Sequence, residues 1–400
     1  MRIVYLGAFR LPNYDAAAAR VLGIATAIKA LDNHSVDFIS WGGHYRESDL
    51  CDDGCYRVIG CPYVITGEID ASGGYLRRIK SWLHRGKLTM QLLRERPTYD
   101  VIIAYNPDYY ITRKLLSYCE KTGTKLVSDL TEWYSSNELP FIDRLPNWFN
   151  MTSLQKRVNN KICISSFLSR YYHHTHNIVI PATSNSADPK WNSQAPSFLK
   201  TSESCKTLIY AGTPARKDLL GSVVNVVSRL ILEGQDIRFI IIGVTAEDYK
   251  KRYGTISDEA LSSGRLLFLG RKSQDEIPSF YKAADFMVLL RENSRKSNAG
   301  FPTKVSESFM SGVPVIANST SDLGNYIING QTGFLLSDYC EEELYKVLKN
   351  KVLGLSYNDI LKMKDKVNIS RISFESIYYS KQIDCFLKDL NSWHRSHEIY

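Results

Sequence analysis

Lys304 and Glu307 stand three residues apart, with Thr303 just before them, in the run Gly300-Phe301-Pro302-Thr303-Lys304-Val305-Ser306-Glu307. Spacings of three and four put all three side chains on one face of a helix. Pro302 is tolerated at the edge of a helix but not inside one. Thr303 is expected to cap that helix, leaving unpaired N–H groups aimed at solvent. Such a terminus attracts phosphate. A cation, free amides and a carboxylate on one face suit a nucleotide diphosphate. The ammonium and amides would meet the phosphates, and the carboxylate would accept the ribose hydroxyls. The competing reading is an ordinary strand–helix unit with a chance lysine and glutamate.

The elements that must position these residues are legible from the apolar pattern. Strands are expected at Ile3–Leu6, Val36–Ser40, Val101–Ala104, Lys125–Ser128, Lys161–Ser165 and Ile178–Ile180, with helical stretches between them. After residue 205 the pattern restarts at Leu208–Ala211, Arg238–Ile242, Leu266–Leu269, Phe286–Leu290 and Val315–Ala317. Strands alternating with helices imply parallel sheets covered on both faces. The fold class is therefore α/β, with two successive doubly wound units whose ligand loops lie at the carboxyl ends of the strands. Expected boundaries are residues 1–185, a linker at 186–205 rich in Pro, Ser and Asn, and a second domain at 206–373. A C-terminal amphipathic segment, 374–400, follows.

Several strand ends carry candidate side chains. Gly212 and Gly243 close two strands of the second half and allow a ligand to approach the backbone. Arg291 follows another strand there. In the first half Gly7, Asn106, Asp129, Glu132 and Trp133 follow strands, and Arg20 lies in the first turns of a helix. Asn106, Asp129 and Glu132 suit sugar hydroxyls, and Trp133 suits a sugar face. Loop capping and packing are the competing roles.

At 400 residues two domains are the prior. The formal net charge of +8 suits an anionic partner. No apolar run approaches the ~18 residues of a spanning helix, and the N-terminus is too quickly polar for a signal peptide. A cytoplasmic location is expected. The eight cysteines include no C-x-x-C pair, which argues for reduced thiols rather than a zinc site. The basic, amphipathic stretch 75–94 suits an anionic membrane surface. It lacks the interleaved base-stacking side chains of a nucleic-acid binder.

The segment 300–317 resembles the donor-nucleotide motif of family 4 glycosyltransferases, in its F-P-T-K-x-x-E variant followed by G-x-P-V-I. Tyr210-Ala211-Gly212-Thr213-Pro214-Ala215-Arg216-Lys217 resembles the family's strand–glycine–loop–lysine element. The resemblance covers the second half well and the first half loosely. It implies the GT-B fold, two Rossmann-like domains facing across a cleft, with the C-terminal helix crossing back onto the first. It also implies transfer of a sugar from a nucleotide-sugar, most often a UDP-sugar, to a hydroxyl, with retention at the anomeric carbon.

On that resemblance Lys217, Arg216 and Glu307 are catalytic. Gly212, Gly243, Arg291, Ala299, Gly300, Phe301, Pro302, Thr303 and Lys304 bind the donor with Glu307, and Gly7, Arg20, Asn106, Asp129, Glu132 and Trp133 lie on the acceptor side. No D-x-D is present, in keeping with an enzyme that needs no metal and no cofactor. The implied acceptor is a glycan or lipid-linked glycan, as in bacterial surface polysaccharide synthesis, met in the cytoplasm or at the inner face of the membrane. The family carries a second glutamate, with seven residues between it and the first, and here Ala299 stands at the first position. Two further readings are a GT-B nucleotide-sugar epimerase and a non-catalytic partner that binds nucleotide-sugar.

Overall fold

A computed structural model describes residues 1–12, 15–31, 33–68, 85–134, 139–199, 204–215 and 217–391. The chain divides into two compact units, Met1–Asn185 with Ser376–Tyr400, and Ser186–Glu375.

The first unit holds β1 (Arg2–Leu11), β2 (Ser35–Gly43), β3 (Arg57–Val58), β4 (Cys61–Ile65), β5 (Val101–Tyr105), β6 (Lys125–Leu130), β7 (Asn160–Cys163) and β8 (His176–Val179). They form one sheet in the order β3-β4-β2-β1-β5-β6-β7-β8. Among the described strand pairings of this sheet, β3–β4 is antiparallel and the others are parallel. Alternation along β1 explains the two covering layers. Ile3, Tyr5 and Phe9 enter the core shared with the helix Ala16–Lys29. Val4 and Leu6 enter the opposite core, with Leu93 of the helix Lys87–Glu95 and Leu115 of the helix Tyr109–Thr122.

The second unit holds β9 (Lys206–Ala211), β10 (Ile237–Ile242), β11 (Leu266–Phe268), β12 (Phe286–Leu289), β13 (Val315–Asn318) and β14 (Gly333–Leu336). Its sheet is parallel throughout, in the order β11-β10-β9-β12-β13-β14. The order reverses direction between β9 and β12. In open α/β sheets that switch point, outside the carboxyl ends of the strands, is where ligands bind.

Two expectations are corrected. The stretch 186–205 is not a free linker in its described part. Pro189–Asn192 and Ser197–Leu199 are 3-10 turns of the second unit, with Trp191 and Leu199 buried. Lys282 Nζ holds this stretch through the carbonyls of Trp191 (2.5 Å) and Ser193 (2.8 Å). Nor is 374 onwards one helix. Phe374 stays in the second unit, packed on Phe309 and Tyr326 with centroids at 5.0 and 4.7 Å. A short turn, Ser376–Tyr379, then leads to the helix Ser380–Lys388. Ile383, Phe386, Leu387 and Leu390, spaced three and four apart, complete the first unit's core. Residues 392–400 lie outside the described residues.

Candidate functional site

The chain leaves β9 at Gly212 and β10 at Gly243, with φ of +118° and +107°. The two turns touch. Gly212 N–H donates to Ile242 O at 3.1 Å, and a Cβ added to Gly243 would lie 2.3 Å from Gly212 O. Gly243→Ala is therefore expected to destabilise the second unit by at least about 2 kcal/mol, combining a backbone clash with an unfavourable φ. Urea unfolding checks this, and an unchanged midpoint would refute it.

At the switch point lies an ion cluster around Asp218, a residue to which sequence reasoning assigned no role. Arg291, just past β12, donates from Nε to Asp218 Oδ1 at 2.8 Å. Lys304 Nζ donates to Oδ2 at 3.0 Å, and Tyr210 of β9 donates its hydroxyl to the same oxygen at 2.7 Å. Asp218 and Arg291 are buried. Burial opposes the Asp218 charge, but Lys304 and Arg291 outweigh it and hold the carboxyl well below the usual carboxylate range. Burial, with Asp218 beside it, pushes the Tyr210 phenol well up, so it remains a donor. Asn318 of β13 fixes the Arg291 backbone in both directions, at 2.8 Å each way. Nη1 of Arg291 is buried without a hydrogen-bond partner among the described residues. Arg291 is thus an interior ion-pair residue, not a surface one.

The signal for Asp218 was its position, one residue after Lys217 in the loop beyond β9. What sequence cannot show is that residues 73 and 86 positions later return to it.

The helix Thr303–Met310 begins beside this cluster. Its N-cap is Pro302, and no side chain caps it, so the expected Thr303 cap is corrected. Pro302 has extended backbone geometry, which makes Thr303 the first helical residue. Lys304 is the second, and its Cε lies 3.0 Å from where a Gly212 Cβ would be. A side chain at 212 would press on that lysine, and φ of +118° disfavours one in any case. Glu307 is partly buried, one turn along; its carbonyl accepts from Ser311 N–H at 3.0 Å, and its carboxylate has no hydrogen-bond partner among the described residues. Burial raises its carboxyl above the ordinary value, against the pull of Lys304 and Lys190.

The remaining donor-side candidates separate. Ala299 is buried at the end of the helix Arg295–Ala299, and the Gly300 N–H is already given to Lys296 O at 3.3 Å. Phe301 is a packing anchor against Tyr326 and Phe374. Lys217 is half-buried beside Asp218 in the chain. Arg216 lies outside the described residues.

In the first unit Gly7, with φ of +145°, lies where β1 meets β5. A Cβ there would be 2.8 Å from Tyr105 O. Arg20 and Asp129 are buried and bind one another. Arg20 Nη2 meets Asp129 Oδ1 at 3.0 Å, while its Nη1 donates to the carbonyls of Ile180 (2.7 Å) and Pro181 (2.6 Å). Tyr5 donates its hydroxyl to Asp129 as well. This pair ties β6 and the helix Ala16–Lys29 to the end of the sheet and leaves neither side chain available to an acceptor. Arg20→Ala is expected to lower the first unit's stability by about 3 kcal/mol, because it leaves a carboxylate unpaired inside. A melting curve that overlays the wild type would refute this.

Asn106, with φ of +39°, is locked to Thr131 by two hydrogen bonds, at 2.6 and 2.8 Å. Trp133 is buried edge-on against Tyr171, and Glu132 is partly exposed between Thr131 and Trp133. Among the described residues no group of three or more His, Cys, Asp or Glu is placed to hold a metal ion, and no helix is long and apolar enough to cross a membrane.

Two parallel-sheet, doubly wound units in one chain define the GT-B architecture, and solved structures of that fold match over nearly the whole chain. Anabaena HepE in complex with UDP and glucose matches with a TM-score of 0.69 at 15% identity, covering 97% of this chain and 100% of that one. The lipopolysaccharide outer core galactosyltransferase WaaB matches with a TM-score of 0.63, also at 15%, covering 97% and 99%. At such identities the likeness is one of fold.

Residues 198–356 match the family model described as Glycosyl transferases group 1. That span contains Gly212, Lys217, Asp218, Arg291, Lys304 and Glu307. An uncharacterized glycosyltransferase of Methanocaldococcus jannaschii is 33% identical over 127 residues, 32% of this chain. The match spans about a third of that relative's length.

Proposed function

We propose that the chain is a retaining glycosyltransferase. It moves a sugar from a UDP-sugar to a hydroxyl of a glycan or lipid-linked glycan in surface polysaccharide synthesis, in the cytoplasm and without a metal. The observation that carries this is the Lys304 ammonium, held on Asp218 beside Gly212 at the switch point of the second sheet. There a cation, an uncapped helix start and glycine turns meet, the features a leaving diphosphate requires. The orphan Nη1 of Arg291 adds a donor, and Lys217 a second cation nearby. Glu307, its carboxylate unbonded, is assigned to the ribose hydroxyls. The fold match to a UDP-bound neighbour and the family match over the second unit support the reading. The buried Ala299 methyl, where a glutamate would stand, favours a second reading in which nucleotide-sugar is bound without transfer.

Incubating the purified protein with UDP-, GDP- and ADP-sugars, and following release of the nucleoside diphosphate with and without acceptor glycans, separates the two. Release from one donor that depends on acceptor supports transfer. Tight binding without turnover supports the second reading, and neither would refute both.

Glu307 supplies a further test. Its folded carboxyl is raised, so its ionisation costs stability above the ordinary carboxylate range and nothing below it. Glu307→Gln is expected to melt higher than the wild type at neutral pH, with the gap closing towards pH ~4, and to bind the donor at least about tenfold more weakly. A variant that is no more stable, or that binds equally well, counts against the assignment.

A further inference from the structure

The helix Phe141–Thr152 is folded inside out. Phe141, Ile142, Leu145, Trp148 and Phe149 are 83%, 41%, 72%, 60% and 43% exposed. At 100° per residue they fall within an arc of about 120°. The opposite face is polar and turned to the protein. Asn150 Nδ2 donates to Pro107 O at 2.9 Å, Asn147 Nδ2 to Tyr134 O at 3.2 Å, and Asp143 is 3.5 Å from Arg85 Nη1. A surface helix of a soluble domain normally shows the reverse arrangement. A continuous apolar stripe of this kind marks an interaction face.

Its neighbour says what it meets. Phe149 packs edge-on against Tyr109 at 5.8 Å, and the Arg113 guanidinium lies 5.5 Å over the same tyrosine ring. Arg113 belongs to a groove of about 490 Å³, lined also by Arg94, Lys114, Lys121, Tyr110 and Tyr118. On the other flank, the Arg144 guanidinium sits 5.8 Å over the Phe141 ring. The nearby carboxylates of Asp108 and Asp143 are both held by Arg85. An apolar stripe bearing a tryptophan, bordered by exposed cations, is complementary to acyl chains beneath anionic headgroups. A second copy of this chain, of net charge +8, would bring cations against cations.

We infer that the helix Phe141–Thr152 is a bilayer-docking element. Its apolar stripe enters the acyl boundary of an anionic membrane, and the basic groove beside it receives the phosphates of the lipid headgroups. This surface differs from the stretch 75–94 singled out by the sequence, of which only residues 85–94 are described. It is also independent of the donor site, so its failure would leave that assignment standing.

The test is co-sedimentation of the full chain with phosphatidylglycerol-rich vesicles and with pure phosphatidylcholine vesicles, at low and high salt, alongside sedimentation velocity without lipid. The wild type is expected to bind the anionic vesicles, more weakly as salt rises, and to stay monomeric without them. Leu145→Gln with Trp148→Gln, both exposed and so expected to melt as the wild type, should weaken binding by about tenfold or more. Arg113→Gln with Lys121→Gln should remove the preference for anionic vesicles. The inference is overturned if the wild type binds neither vesicle, if the apolar pair leaves binding unchanged, or if the wild type is a dimer that the apolar pair dissociates.

Discussion

Lys304→Ala is expected to lower sugar transfer by about 100- to 1000-fold, the usual cost of removing one preorganised charge at a developing anion. The second unit should stay folded, because Asp218 keeps Arg291 Nε at 2.8 Å and the Tyr210 hydroxyl at 2.7 Å. Lys304→Arg is not expected to rescue activity. The site holds Lys304 as a point charge 3.0 Å from Asp218 Oδ2, a single contact that a longer, planar guanidinium does not reproduce. Steady-state turnover with the preferred donor, set beside a melting curve, measures both statements. Turnover within tenfold of the wild type would remove Lys304 from the diphosphate site.

Asp218→Ala should act on stability and function together. It strands the Arg291 guanidinium inside the unit with no counter-ion and one nitrogen already unpartnered, a change that costs about 3–5 kcal/mol. It also releases Lys304 from the position that the cluster imposes. Unfolding in urea and donor binding by calorimetry should therefore fall together. The pH dependence has a definite sign. The folded carboxyl is held below its ordinary value, so its stabilising effect is present at neutral pH and is lost as pH falls below the carboxylate range. Asp218→Asn keeps the shape, lowers stability at neutral pH and should remove that share of the acid sensitivity. If the variant unfolds with the wild-type midpoint and acid profile, the cluster is not what holds Arg291 and Lys304.

Much of the fold was legible because each parallel strand is a short apolar run between helical stretches. The expected strands at Leu208–Ala211 and Arg238–Ile242 became β9 and β10 almost residue for residue. What escaped was either short or weakly patterned. β3 and β4 sit in a loop-like stretch of cysteines, glycines and tyrosines, and β14 follows a glycine turn. The stretch 186–205 reads as a linker because its prolines and serines outnumber Trp191 and Leu199, the two buried side chains that anchor its described part.

In the candidate site, Lys304 and Glu307 stand out by type and spacing, and Gly212 by its place at the end of an apolar strand. Asp218 was not, because its role depends on two cations that only the β9–β12 switch brings to it. Arg20 and Asp129 show the opposite error. A polar residue at a strand end, or in the first turns of a helix, reads as a ligand group until its partners, here a tyrosine and two backbone carbonyls, are seen.

The return of the chain at Ser376 has a consequence for how the protein is made. The first unit's core includes Ile383, Phe386, Leu387 and Leu390, so it remains unfinished until the segment beyond the second unit has been synthesised. The second unit is continuous in sequence and needs no later segment to complete it. The half that is translated first is the half that matures last. Until then its uncovered flank, around Ile24 and Ile28, is a natural place for a chaperone to bind. A message truncated after Glu375 would yield a finished second unit joined to an incomplete first one, a product suited to degradation rather than use.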